Sequence, residues 1–159
     1  TVGISDTVQF TTGSDGNYAH NDQASDDYTV MASKTATALG ETGLKTFVKP
    51  IDAIAALKIA FGLNPNPVGT SISPYQYLAA DFNKDGKVMP IDAINILKMA
   101  FGLLNTSFEW LFVPDSVGST TMSRNNVVWP DEPSINLDDN TELHLIGIVK
   151  GDVDGTWIG

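Results

Sequence analysis

The sequence predicts an α+β domain, an antiparallel β-sheet or small sandwich with a pair of related helices embedded in it. Residues 48–63 and 88–103 are one segment written twice, differing only at Lys49/Met89, Ala55/Asn95, Ala56/Ile96 and Ile59/Met99. Apolar residues recur at helical spacing in both copies, and short runs with strand character flank the copies on either side. With 159 residues the chain is long enough for one domain with a real core.

Before the first copy, residues 7–10 and 28–33 read as short strands, separated by the polar stretch Thr11 to Asp27, where Gly, Asp, Asn and Ser mark a loop. The first copy has Pro50 in its opening turn, where a missing N–H costs nothing, and ends at Gly62, which suits a left-handed cap. Ile51, Ile54, Leu57 and Phe61 share one face of this helix and are expected to be buried. Residues 64–80 bridge the copies, with a short helix over Pro74 to Ala80. The second copy runs from Pro90 to Gly102 and carries Ile91, Ile94, Leu97 and Phe101 on the matching face, so the copies should pack together about a local two-fold. Beyond it, Glu109 to Val113, Asn126 to Trp129 and Thr141 to Val149 read as strands, and Pro114, Pro130, Pro133 and Asp138-Asp139-Asn140 as the turns between them. Residues 1–46 and 106–150 are expected to form one sheet or sandwich around the helical repeat 47–105, with the tail 151–159 returning to the first helix.

Residues 81–92 read Asp-Phe-Asn-Lys-Asp-Gly-Lys-Val-Met-Pro-Ile-Asp, a pattern with the spacing of a calcium loop. Asp81, Asn83 and Asp85 can each give a side-chain oxygen, Lys87 its backbone carbonyl, and Asp92 two carboxylate oxygens. A calcium ion takes six to eight such oxygens at roughly 2.3–2.6 Å, and Gly86 permits the sharp turn that gathers them. A surface turn rich in Asp, Asn and Gly would use the same residue types, but it explains neither the spacing nor the helix that follows.

A calcium loop running into a helix, in a duplicated unit, resembles the dockerin family over residues 47–105, most specifically over Asp81 to Leu103. The resemblance implies two bound calcium ions, a secreted or cell-surface location within a larger multidomain chain, and docking onto a cohesin-type partner. The family's recognition positions map onto Pro50, Ile51, Leu57 and Lys58 in the first copy and Pro90, Ile91, Leu97 and Lys98 in the second.

The first copy departs from the family pattern. Counting back from Asp52, its loop would place Glu41, Gly43 and Lys45 where oxygen ligands belong, and Lys45 brings a cation instead. The C-terminus supplies a substitute, because Gly151-Asp-Val-Asp-Gly-Thr-Trp157 looks like the opening of such a loop without its helix. Asp152, Asp154 and Thr156 are therefore expected to join Asp52 in a split second site. In the plainer alternative, Asp52 favours the positive helix N-terminus, worth about 0.3–1 kcal/mol, while Asp152 and Asp154 are turn residues.

The formal charge of −10 argues against a nucleic-acid partner, whose phosphates need a basic patch. No cysteine is present, which removes disulfides and thiolate sites, and no apolar stretch approaches the roughly 20 residues of a membrane span. The absence of a signal peptide ahead of Thr1 suggests a piece of a larger exported protein. Nothing points to an enzyme: His20 and His144 lack a catalytic setting, and Asp26-Asp27 or Asp131-Glu132 read as solvated turn acids. Two functions remain open, a docking module with exposed Ile and Leu, or a calcium-stabilised structural domain of an adhesin or extracellular enzyme that buries them. Carbohydrate binding through Trp110, Trp129 or Trp157 is a third.

Overall fold

The computed structural model describes residues 11–12, 16–17, 27–34, 47–104, 109–131, 134–136 and 142–156. Along these the elements are β1 (Asp27–Thr29), α1 (Pro50–Ala60), α2 (Pro74–Ala80), α3 (Pro90–Ala100), β2 (Trp110–Pro114), a 3₁₀ helix (Asp115–Ser119), β3 (Ser134–Asn136) and β4 (Leu145–Val149). The class is α+β.

Both repeat helices start and stop for the same local reasons. Proline occupies the first turn, and the Asp three positions into the helix accepts from the backbone N–H just before it: Lys49 N to Asp52 Oδ2 at 2.7 Å, and Met89 N to Asp92 Oδ2 at 2.8 Å. At the other end Gly62 and Gly102 adopt φ of 75° and 67°. This lets Leu63 N reach Lys58 O and Leu103 N reach Lys98 O, both at 2.8 Å, so each helix closes in a Schellman turn. Helix α2 is capped by a reciprocal pair, Gln76 N to Ser73 Oγ and Ser73 N to Gln76 Oε1, and it ends at Asp81, where the loop begins.

Helix α1 packs on α3, but through the opposite face from the one expected. Ile51, Ile54, Leu57 and Phe61, and likewise Ile91, Ile94, Leu97 and Phe101, are exposed. The buried stripe is Asp52, Ala53, Ala56, Ile59 and Ala60 against Asp92, Ala93, Ile96, Met99 and Ala100. Each helix is apolar nearly all round, so periodicity offers two stripes and cannot choose between them. The carboxylate chooses: turning Asp52 and Asp92 towards their loops puts the small alanines between the helices and turns the bulky residues outward.

The expected single sheet or sandwich is instead two separate two-stranded antiparallel sheets among the described residues. One pairs Tyr28 with Ile135, the other Phe112 with Gly147. Pro114 has no N–H to extend the β2 ladder, and the chain turns there into the 3₁₀ helix. Residues 126–129 are not a strand. Beyond a single bridge between Ser123 and Asn126, their backbone turns to the 81–92 loop, with Val127 N on Gly86 O at 2.8 Å and Arg124 O accepting from Val88 N at 2.7 Å. The strand read over 28–33 shortens to β1, and that over 141–149 to β4. The expected strand 7–10, most of the loop 11–27, the failed loop 41–46, Glu132, His20 and Trp157 lie outside the described residues. His144 precedes β4 on the surface, its Nε2 3.5 Å from Glu142 Oε2.

The core joins both parts. Val48, Ala56, Ile59, Leu78, Val88, Ile96 and Val153 are virtually sealed from solvent. Val153 belongs to the tail, and burying such a side chain contributes about 1.5–3 kcal/mol towards seating residues 151–156 on the core.

Candidate metal centres

The contiguous loop is built by side chains that organise their own backbone. Asp81 Oδ1 accepts from Asp85 N at 3.1 Å and its Oδ2 from Gly86 N at 2.9 Å. Asn83 Oδ1 takes Asp85 N at 3.0 Å, and Asp85 Oδ1 takes Lys87 N at 3.0 Å, which brings position 7 into the same turn. Asp92 closes the ring across the loop, with Asn83 N on its Oδ1 at 3.2 Å. Gly86 at φ 83° is the turning point, and Lys84 also adopts a left-handed φ of 60°.

The tail and α1 repeat three of these bonds. Asp154 N donates to Asp52 Oδ1 at 3.0 Å, as Asn83 N does to Asp92. Thr156 N donates to Asp152 Oδ1 and to Asp154 Oδ1, both at 3.1 Å, as Asp85 N does to Asp81 and Asn83. Burial follows the same order: Asp152 and Val153 are buried like Asp81 and Phe82, whereas Asp154 and Thr156 are exposed like Asn83 and Asp85. One carboxylate oxygen from each of Asp52, Asp152 and Asp154 lies within 4.8 Å of the others, close enough for one ion to touch all three. The three residues are thus brought together across 102 positions of sequence. A cleft of about 390 Å³, bordered by Asn66, Thr70, Gln76 and residues 152–155, opens beside Asp152 and Asp154.

Electrostatics mark both places. Asp52, Asp81 and Asp92 are fully buried, and among the described residues no ammonium or guanidinium group pairs with them. Burial pushes the Asp52 carboxyl up to about 6; the N–H groups of Lys49 and Asp154 pull it back, while the charges of Asp154 and Asp152 raise it further. Burial likewise raises Asp81 and Asp92, against the hydrogen bonds each accepts. A buried carboxylate without a cation is costly, and a divalent ion with oxygen preference relieves that cost.

The positions mapped from the dockerin resemblance fall on the surface. Ile51, Leu57, Ile91 and Leu97 are between 39% and 51% exposed; Pro50, Lys58 and Lys98 are exposed beside them, and Pro90 is half-buried. Two contributors escaped sequence reasoning. Trp129 donates its indole N–H to Asp81 Oδ2 at 2.7 Å, and Arg124 donates Nη1–H to Ala60 O at 2.7 Å, capping α1. No motif announces either: Trp129 ends a segment that reads as an ordinary strand, and Arg124 lies just before it.

No protein-family model matches the chain, and no curated protein and no solved structure matches it significantly.

Proposed function

We propose that this chain is a non-catalytic, dockerin-like module that binds two calcium ions and uses the helices they anchor to dock onto a cohesin-type protein partner outside the cell. The observation that carries the reading is the repeat itself, divided by burial. Five pairs of large apolar residues turned to solvent are identical in the two copies, Ile51/Ile91, Ile54/Ile94, Leu57/Leu97, Phe61/Phe101 and Leu63/Leu103, while exposed Met89 stands where the first copy has Lys49. Two of the differences, Ala56/Ile96 and Ile59/Met99, are buried in the helix–helix contact. Large apolar residues exposed at matching positions of both helices favour a face that meets something. Two equivalent faces could each present themselves to the same partner.

Calcium supports this by fixing where each face points, since the ligand Asp52 or Asp92 sits in the first turn of the helix that carries the face. Among the described residues no helix is long and apolar enough to cross a membrane. The test is capture of a purified cohesin on the immobilised chain, with and without chelator. Calcium-dependent capture that Leu57→Asp combined with Leu97→Asp abolishes supports docking. Calcium binding with no capture favours the structural-domain reading instead.

A further inference from the structure

We infer that Trp129, which lies far outside residues 81–92, is a positioning residue for the ion in that loop: its indole N–H holds the outer oxygen of Asp81 and leaves the inner one for the metal. The inference rests on the calcium reading proposed above and adds to it a residue that the loop pattern does not contain.

Asp81 opens the loop and is completely buried. Its two oxygens are treated differently. Oδ2 accepts from Gly86 N at 2.9 Å and from Trp129 Nε1 at 2.7 Å, while among the described residues Oδ1 accepts from Asp85 N alone, at 3.1 Å. The carboxylate is thereby held from two sides, by the loop's own backbone and by a distant segment. A hydrogen bond of this length to an ionised acceptor is among the stronger kinds, and an indole N–H can only donate, so it cannot compete for the cation.

Trp129 is itself held in place. Residues 124–127 run along the loop through two backbone bonds, Val88 N to Arg124 O and Val127 N to Gly86 O, at 2.7 and 2.8 Å. The Lys84 ammonium stands 5.2 Å from the centre of the Trp129 ring, within cation–π range, and also pairs with Glu109. The ring is half-buried against the core. Groups that hold a ligand carboxylate from outside the coordination sphere commonly change metal affinity by about 10–100-fold when removed.

The experiment is a calcium titration by calorimetry on the full chain in two backgrounds. In Asp52→Ala only the 81–92 loop keeps its full ligand set, and in Asp92→Ala only the split site does. Adding Trp129→Phe, which keeps a ring but removes the N–H, should raise the Kd about tenfold or more in the first background and leave it unchanged in the second. The chelated protein should melt within a few degrees of its parent. An unchanged Kd in the Asp52→Ala background overturns the inference while leaving calcium binding intact. Equal weakening in both backgrounds with a lower melting temperature assigns Trp129 a general packing role and also overturns it. A parent chain that takes up no calcium at all removes the underlying reading and this inference together.

Discussion

The loop at 81–92 and the cluster at Asp52, Asp152 and Asp154 differ in how the chain reaches them, and they arrive at the same arrangement. The first is written in twelve consecutive residues, with outside support from residues 124–129. The second draws one carboxylate from α1 and the rest from a tail that follows β4, yet it reproduces four hydrogen bonds of the first within 0.2 Å. Closing a long loop costs only about 0.6 kcal/mol more per doubling of its length, so distance in sequence is a minor obstacle. The cost falls elsewhere. The contiguous site depends on local geometry, while the split site depends on the packing of β4 and Val153 that delivers the tail.

That contrast predicts different failures. Asp92→Ala and Asp52→Ala should each remove one ion, and with calcium at about 100 times Kd each loss should lower stability by about 2.7 kcal/mol. Amide exchange should then separate them. Asp92→Ala should expose residues 82–89 and leave the tail protected, whereas Asp52→Ala should free residues 151–156. Uniform loss of protection in both variants would break the comparison and show one cooperative unit.

A smaller effect comes from pH. The Asp52 carboxyl in the metal-free fold titrates near 6, above its ordinary value of 3.8, and Asp81 and Asp92 are raised as well. The folded state therefore holds more protons than the unfolded one between those values. Its stability is greatest below the window and declines as pH rises through about 6. In chelator, acidification from pH 7 to 5.5 should raise the melting temperature. In excess calcium the same change should lower it, because protons displace the ion. Slopes of the same sign would contradict the assignment of these buried acids as ligands.

The smallest effect on stability is expected where binding should change most. Leu57→Asp or Leu97→Asp lies on an exposed helix face and should shift stability by only about 0.5 kcal/mol, leaving both ions bound. A large loss of stability would mean that these faces are covered within the chain.

How far the sequence could be read depended on whether the signal was local. The 81–92 loop, the caps at Pro50, Pro74, Pro90, Gly62 and Gly102, and the bounds of α2 are set by neighbouring residues, and they are legible. The pairing of Asp52 with the tail was inferable because the repeat left a ligand without a loop and the tail a loop opening without a helix. Burial was misread because Ile, Leu and Phe on one stripe outweigh Ala on the other in any periodicity count, and only the direction of Asp52 and Asp92 decides between them. The clamp by residues 124–129 left no trace, since Val127, Val128 and Trp129 look like a strand whether their hydrogen bonds go to a sheet or to a loop.

The central claim is that the tail completes a second calcium site on the first helix. Calorimetric calcium stoichiometry, measured on the whole chain and on the chain ended after Lys150, tests it most directly. The account predicts two ions for the whole chain and one for the shortened chain. Two ions in both, or one in both, would contradict it.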